Sequence, residues 1–224
     1  MLSFYVTGTD TGIGKTVASV ALLRALQARV RNAVGMKPVA SGCERVGTEW
    51  HNADALALRD ASHPAPPYAL VNPIALREPA APEIAAVLQG VKVDLEPLCE
   101  AYARLAMFAP TRVVEGVGGW LAPLAPRLDQ SALVHALDLP VVLVVGVRLG
   151  CINHARLTQR AIEADGCRVV GWIGNRIDPD FATADASIDL LRRHLSVPCL
   201  GVIEHAADGA PQAKLDLGPL ASAG

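Results

Sequence analysis

Gly8-Thr9-Asp10-Thr11-Gly12-Ile13-Gly14-Lys15-Thr16 is the stretch from which the rest of the chain can be read. It follows an apolar run, Leu2 to Val6, that reads as a buried strand. It precedes Val17 to Leu23, which has helical spacing. Strand, glycine-bearing loop and helix form the context that a phosphate-binding loop requires. Gly12 and Gly14 let backbone N–H groups turn inward around an anion, and the helix N-terminus adds unpaired donors and a partial positive charge. Lys15 would reach the β- and γ-phosphates, and Thr16 would offer its hydroxyl to Mg²⁺. The usual spacing, G-x-x-x-x-G-K-[ST], would place a glycine where this chain has Thr9; Gly8 lies one residue further out.

The bulk composition bounds what surrounds this loop. The 224 residues suit one α/β domain over 1–224, and 51% hydrophobic content gives ample material for its core. A net charge of -2 argues against a nucleic-acid footprint, and 4% aromatics against stacking platforms for single strands. Five scattered cysteines without a C-x-x-C pair predict reduced thiols and a cytoplasmic protein. The N-terminus opens straight into a strand, so no signal peptide is expected. No apolar run reaches membrane-spanning length, and the longest candidate, 139–147, is strand-sized.

Outward from the loop, the pattern predicts a helix to Arg29 and a strand over 32–36 that runs into Lys37-Pro38-Val39-Ala40-Ser41-Gly42. Residues 44–51 read as polar and mobile. Asn52 is a candidate N-cap for a helix whose first turn holds Asp54, either as a partner of the helix dipole or as a Mg²⁺ contact. The proline-rich stretch 63–82 reads as a loop with at most a short extended piece at 68–72, followed by helices over 82–89 and 95–107. A strand at 111–115 ends on Glu115 and enters Gly116-Val117-Gly118-Gly119. The strand at 139–147 is apolar on both faces and leads to a helix ending near Asp165. Asn153 and His154 at its start are either plain first-turn residues or a second anion site. A strand at 168–173 closing on Asn175, a helix over 182–195, a strand over 198–203 and an irregular tail complete the chain. The turn residues Asp208-Gly209-Ala210-Pro211 in that tail could close over a base.

The chemistry-bearing residues thus fall at the C-terminal ends of parallel strands, the edge on which α/β sheets bind ligands. Lys15, Thr16, Lys37, Asp54, Glu115 and Asn175 would share it. Two lysines, two acids and a hydroxyl suit a Mg-nucleotide whose γ-phosphate is transferred, a reaction in which protein groups mainly position and neutralise charge. An asparagine at a strand end can read adenine, because its amide both donates and accepts.

Taken together, Val6 to Thr11 with Gly14-Lys15-Thr16, Lys37 to Gly42, Asn52 to Ala55, Glu115 to Gly119, Gly150 to His154 and Gly171 to Asn175 make the chain resemble the dethiobiotin synthetases over most of its length. The resemblance implies a three-layer α/β/α fold of the P-loop NTPase type with a mostly parallel central sheet. It implies a homodimeric, ATP- and Mg²⁺-dependent ligase that closes a ureido ring on 7,8-diaminononanoate with CO₂. The route passes through a carbamate and a carbamic–phosphoric anhydride. By motif match, Thr16, Asp54 and Glu115 would hold Mg²⁺, and Lys15 and Lys37 would stabilise the carbamate and the migrating phosphoryl group. Thr11 and Ser41 would contact phosphate and carbamate, and Gly118 would help shape the substrate pocket. Asn153, at the dimer interface, would help receive the substrate carboxylate. Nucleotide contacts would come from Gly12, Ile13 and Gly14, from Gly116, Val117 and Gly118, from Asn175 and Arg176, and from Glu204, His205 and Ala206. Three positions depart from relatives. Gly12 stands where some carry an acid, Glu204 where a proline is expected, and Ser187 where some carry a tyrosine. The second of these leaves base selectivity open. A partition- or septum-positioning ATPase shares this type of fold and loop, but carries a signature lysine where this chain has Asp10.

Overall fold

The computed structural model describes residues 2–206 and 213–221. Its elements run β1 (Phe4–Gly8), α1 (Lys15–Val30), β2 (Ala33–Met36), β3 (Val39–Ala40), β4 (Glu44–Val46), β5 (Glu49–His51), α2 (Ala53–Ala61), α3 (Tyr68–Val71) and β6 (Ile74–Ala75). Then come α4 (Pro82–Gln89), α5 (Leu95–Leu105), β7 (Thr111–Glu115), α6 (Gln130–Leu137), β8 (Val141–Gly146), α7 (Cys151–Ala164), β9 (Val169–Asn175), α8 (Ala184–His194), β10 (Cys199–Ile203) and α9 (Gly218–Ala221).

Six strands form the central sheet in the order β10-β9-β8-β1-β7-β2. Every neighbouring pair is parallel. A parallel sheet needs cover on both faces, which explains why β8 is buried along its whole length. Side chains alternate across the sheet. Tyr5 joins a core with Leu98 and Leu105 of α5, Leu133 of α6, Ile162 of α7 and Ile188 of α8. Phe4 and Val6 join the opposite core, with Leu22 and Leu26 of α1, Leu58 of α2 and Leu220 of α9. The result is helix, sheet, helix, as the resemblance implied. Each fully buried leucine here is worth about 1.5–3 kcal/mol relative to exposure. The register aligns the strand ends: Val6 pairs with Glu115, Met36 with Val114, and Gly146 with Asn175. Lys37 therefore emerges from β2 beside Glu115 on β7.

Several stretches differ from the sequence expectation, among them the short parallel pair β3–β6, with Val39 opposite Ile74. Residues 44–51 form an antiparallel hairpin, with Val46 opposite Glu49 and Glu44 opposite His51. Gly47, at φ 64°, takes the positive φ that two-residue hairpin loops favour. Residues 68–71 are a helical turn, not an extended piece: Asn72 N–H donates to the Tyr68 carbonyl at 2.8 Å and closes it. Helix α6 had no counterpart in the sequence reading, and the tail carries the short α9. The turn at 208–211 lies outside the described residues.

Candidate active site

The loop between β1 and α1 is tied down from two sides. At Gly14 (φ 79°) a Cβ would collide with the Asn175 side chain, so the position tolerates only glycine. Asn175 Nδ2 donates to the Ile13 carbonyl at 2.8 Å, fastening the loop to the end of β9. On the other side Asp10 Oδ1 accepts from the Thr11 N–H at 2.7 Å, and Oδ2 from the Arg148 guanidinium at 2.6 Å. The Asp10 carbonyl accepts from Lys15 Nζ at 2.8 Å. Helix α1 then starts with no side-chain cap and no acid in its first turn. Its first N–H groups and positive end are left for an anion. Ile13 buries its side chain in the core, so only its backbone belongs to the loop.

Across from Lys15 stands a buried charge cluster. Glu115 is completely buried. Its Oε1 accepts from Lys37 Nζ at 2.7 Å and from Thr16 Oγ1 at 2.9 Å. Lys37 Nζ also donates to the Gly116 carbonyl at 3.1 Å and pairs with Asp54 Oδ2 at 3.3 Å. Burial alone would lower the Lys37 pKa, but the Glu115 and Asp54 carboxylates outweigh it and hold the ammonium above its ordinary value. At Lys15 the same carboxylates do not outweigh burial. Burial, and then repulsion from Lys37, bring it down to about 8 against the opposing pull of Glu115, Asp54 and Asp10. Two acceptors or donors remain for a ligand: Glu115 Oε2 and Ser41 Oγ are both buried without a partner.

These groups line one cleft of about 750 Å³. Thr11, Gly12, Gly14, Lys15 and Thr16 enter it from the loop, Lys37, Ser41 and Asp54 from the segments after β2, and Glu115, Val117 and Gly118 from β7 onward. Gly116 contributes its carbonyl to Lys37. A hard divalent cation fits the donor set, since Thr16 Oγ1 and Glu115 meet there, Asp54 stands near, and Glu115 Oε2 is an orphaned buried oxygen.

Other predicted residues stand apart. Asn153 is exposed on the first turn of α7 and lines a separate hollow with Gly150 and Arg156. Helix α7, like α1, begins at a glycine in the left-handed region with no side-chain cap and no acid in its first turn. Arg176 pairs with Asp185 and, at 3.1 Å, with Glu204. Glu204, His205 and Ala206 are exposed beyond β10.

The sequence reading missed Gln130. Its Oε1 accepts from Tyr5 Oη at 2.8 Å and from the Val117 N–H at 3.2 Å, while Nε2 donates to the carbonyls of Gly119 (2.6 Å) and Trp120 (3.1 Å). This buried amide holds the glycine segment after Glu115 in place, and a Cβ at Gly116 would collide with it. No signal in the sequence singled it out, since the run Gln130 to Leu137 also carries Ser131 and His135.

The chain matches the AAA domain family over residues 3–213. It is 59% identical over 212 residues to the protein named ATP-dependent dethiobiotin synthetase BioD in Xanthomonas oryzae pv. oryzae, covering 95% of each chain. It is 56% identical over 213 residues to the protein of the same name in Xylella fastidiosa, covering 95% of this chain and 94% of the relative. The chain belongs to the dethiobiotin synthetase family.

Solved structures extend the likeness of fold alone. A ParA family ATPase from Chlorobium tepidum superposes with a TM-score of 0.57 at 13% identity, over 94% of this chain and 88% of that one. The cell division protein MinD from Aquifex aeolicus gives 0.54 at 15% identity, over 92% and 84%. Of the three positions that the resemblance marked as departures, Gly12 has open space where a Cβ would be, although its φ is 73°. Ser187 is buried on α8, and Glu204 is committed to Arg176.

Proposed function

We propose that this chain closes the ureido ring of dethiobiotin on 7,8-diaminononanoate, using CO₂ and ATP. Membership of the family supports ATP-dependent dethiobiotin synthesis, a ligase step of biotin biosynthesis. The observation that carries the finer reading is the Lys37 ammonium, buried between Glu115 and Asp54 in the same cleft as Lys15 and the phosphate-binding loop.

The diamine first adds one amine to CO₂ and loses a proton, giving a carbamate. A carbamate is anionic and loses CO₂ on protonation, so it needs fixed cations and a site closed to bulk water. Lys37 and the unpartnered Ser41 hydroxyl would hold it. A carbamate oxygen then attacks the γ-phosphorus, the bond to ADP breaks, and a carbamic–phosphoric anhydride results. Lys15, the Thr11 side chain and the N–H groups at the start of α1 would receive the charge that gathers on the transferring oxygens. The second amine attacks the carbonyl carbon, the ring closes and phosphate leaves. Mg²⁺, held by Thr16, Asp54 and Glu115, would supply charge neutralisation on the phosphates. Among the described residues no cluster of three or more His, Cys, Asp and Glu offers an all-protein cage, which suits an ion that keeps phosphate and water ligands.

We further assign the base to Asn175, Arg176 and the segment Glu204, His205 and Ala206. The substrate carboxylate goes to the uncapped start of α7 at Asn153, donated across a homodimer interface. The hollow of Asn153 is separate from the Lys37 cleft within one chain, and exposed Leu157 lines it. We assign the chain to the cytoplasm, a reading that its reaction class supports. No helix among the described residues is long and apolar enough to cross a membrane.

The test is phosphate release from the purified chain with Mg-ATP and bicarbonate, with and without the diamine, and dethiobiotin identified by mass. Diamine-dependent phosphate matched by dethiobiotin is the expected result. ATP binding without product would leave the phosphate loop standing and remove the substrate assignment.

A further inference from the structure

We propose that Tyr68, together with Asn52 and Asn72, is a positioning relay that fixes Lys37, Ser41 and Asp54 relative to one another. This inference rests on the reading of Lys37, Ser41 and Asp54 given above.

The relay is a continuous chain of bonds. Tyr68 Oη accepts from the Asn52 backbone N–H at 2.8 Å and donates to Asn72 Oδ1 at 3.0 Å. Asn72 Nδ2 donates to the carbonyl of Lys37 at 2.7 Å and to that of Ile74 at 3.1 Å. Asn52 Nδ2 donates to the Ser41 carbonyl at 3.2 Å. Asn52 Oδ1 accepts from the backbone N–H groups of Asp54 (3.0 Å) and Ala55 (3.2 Å), capping α2. One hydroxyl thus connects the backbones that carry three cleft side chains.

Each orientation in the relay is forced. Reversing the Asn72 amide would set its oxygen against two carbonyls, and reversing Asn52 would set N–H against N–H. Both asparagines are buried, so water does not substitute readily for a lost partner. The Tyr68 ring is held in turn by His51, with ring centroids 4.1 Å apart at 34°. His51 ends the β4–β5 hairpin, which gives that exposed element a place in the site. None of the relay side chains supplies the charge the reaction needs; they act through the groups they hold, and small displacements of such groups cost rate more than binding.

The test compares wild type, Tyr68→Phe and Asn72→Ala in steady-state dethiobiotin formation, thermal unfolding and amide hydrogen exchange. Tyr68→Phe keeps the ring and removes both bonds of the hydroxyl. The expected result is a kcat lower by about 10–100-fold, a KM for ATP within about threefold, and faster exchange in both segments 37–42 and 52–55. Wild-type kcat in Tyr68→Phe, or unchanged exchange in either segment, would overturn the relay. So would an activity loss that merely follows the fall in Tm and disappears on cooling. If Asn72→Ala does not fold, Tyr68→Phe decides alone. Hydrogen exchange needs no substrate, so it judges the relay even if wild type makes no dethiobiotin, an outcome that would remove the proposed reaction instead.

Discussion

Lys37 and Lys15 are two ammonium groups in one cleft under opposite electrostatic regimes, and their roles separate accordingly. Lys37 is held charged by Glu115 and Asp54, so it stands as a fixed cation, as the proposed carbamate would require. Lys37→Ala is expected to lower turnover about 10³-fold while leaving most of the ATP affinity, read by steady-state kinetics beside equilibrium titration. The same change strands Glu115, and losing one partner of a buried pair costs about 3–5 kcal/mol, so unfolding must be followed in parallel. Lys15, brought down to about 8 mainly by burial, is charged below that value and neutral above it. ATP affinity should therefore fall as pH rises through about 8. Lys15→Arg, which stays charged throughout, should flatten that fall; an equal decline in both proteins would detach it from Lys15. Glu115→Gln should move the Mg²⁺ titration of activity to higher concentration, and an unchanged titration would show that this acid holds no metal.

At the scale of elements, the active groups are carried by helix starts and strand ends, and each has its own stabilising device. α2 depends on the Asn52 cap. Asn52→Ala should cost about 1 kcal/mol in denaturant unfolding, with the loss at Asp54 adding a drop in activity that the stability change does not account for. The elements most readable from sequence were those with a strong local signal. The Asn52 cap, the Pro82 start of α4 and the doubly apolar β8 all formed where expected. The hairpin at 44–51 was not legible, because its strands are polar on exposed surfaces and show no alternation. α3 was hidden by the prolines around it, although its turn closes through a backbone bond that sequence does not display. In the site, the loop, Lys37, Asp54 and Glu115 were legible as motifs. Gln130 and the relay were not, since they act on backbone atoms far away in the chain: Gln130 meets Tyr5, for instance, across 125 positions.

For the whole molecule, the sheet sets the cleft, and the proposed assembly falls on the surface around α7. Leu149 is 86% exposed, Leu157 56% and Leu121 67%. Leu121 and Leu157 line one hollow, and Leu149 directly precedes Gly150, the N-cap of α7. In the proposed homodimer this apolar surface is covered by a second copy. Leu149→Asp should shift the protein toward monomer in sedimentation and raise the KM for the diamine, with ATP affinity retained. A dimer of wild-type affinity in that variant would place the interface elsewhere.

The sequence by itself determined the glycine-bearing loop between strand and helix, the alternation of strands and helices, and the residue types of the candidate site. All of these are local: glycine spacing, caps and apolar periodicity act within a few residues. Only the tertiary structure decided that Glu115 accepts from both Lys37 and Thr16, that Asn175 fastens the Ile13 carbonyl, and that Asn52, Tyr68 and Asn72 join the two cleft segments 37–42 and 52–55. Those facts depend on which strands lie side by side and in what register. Register is fixed by packing both faces of the sheet at once, and no short stretch of the chain contains that information.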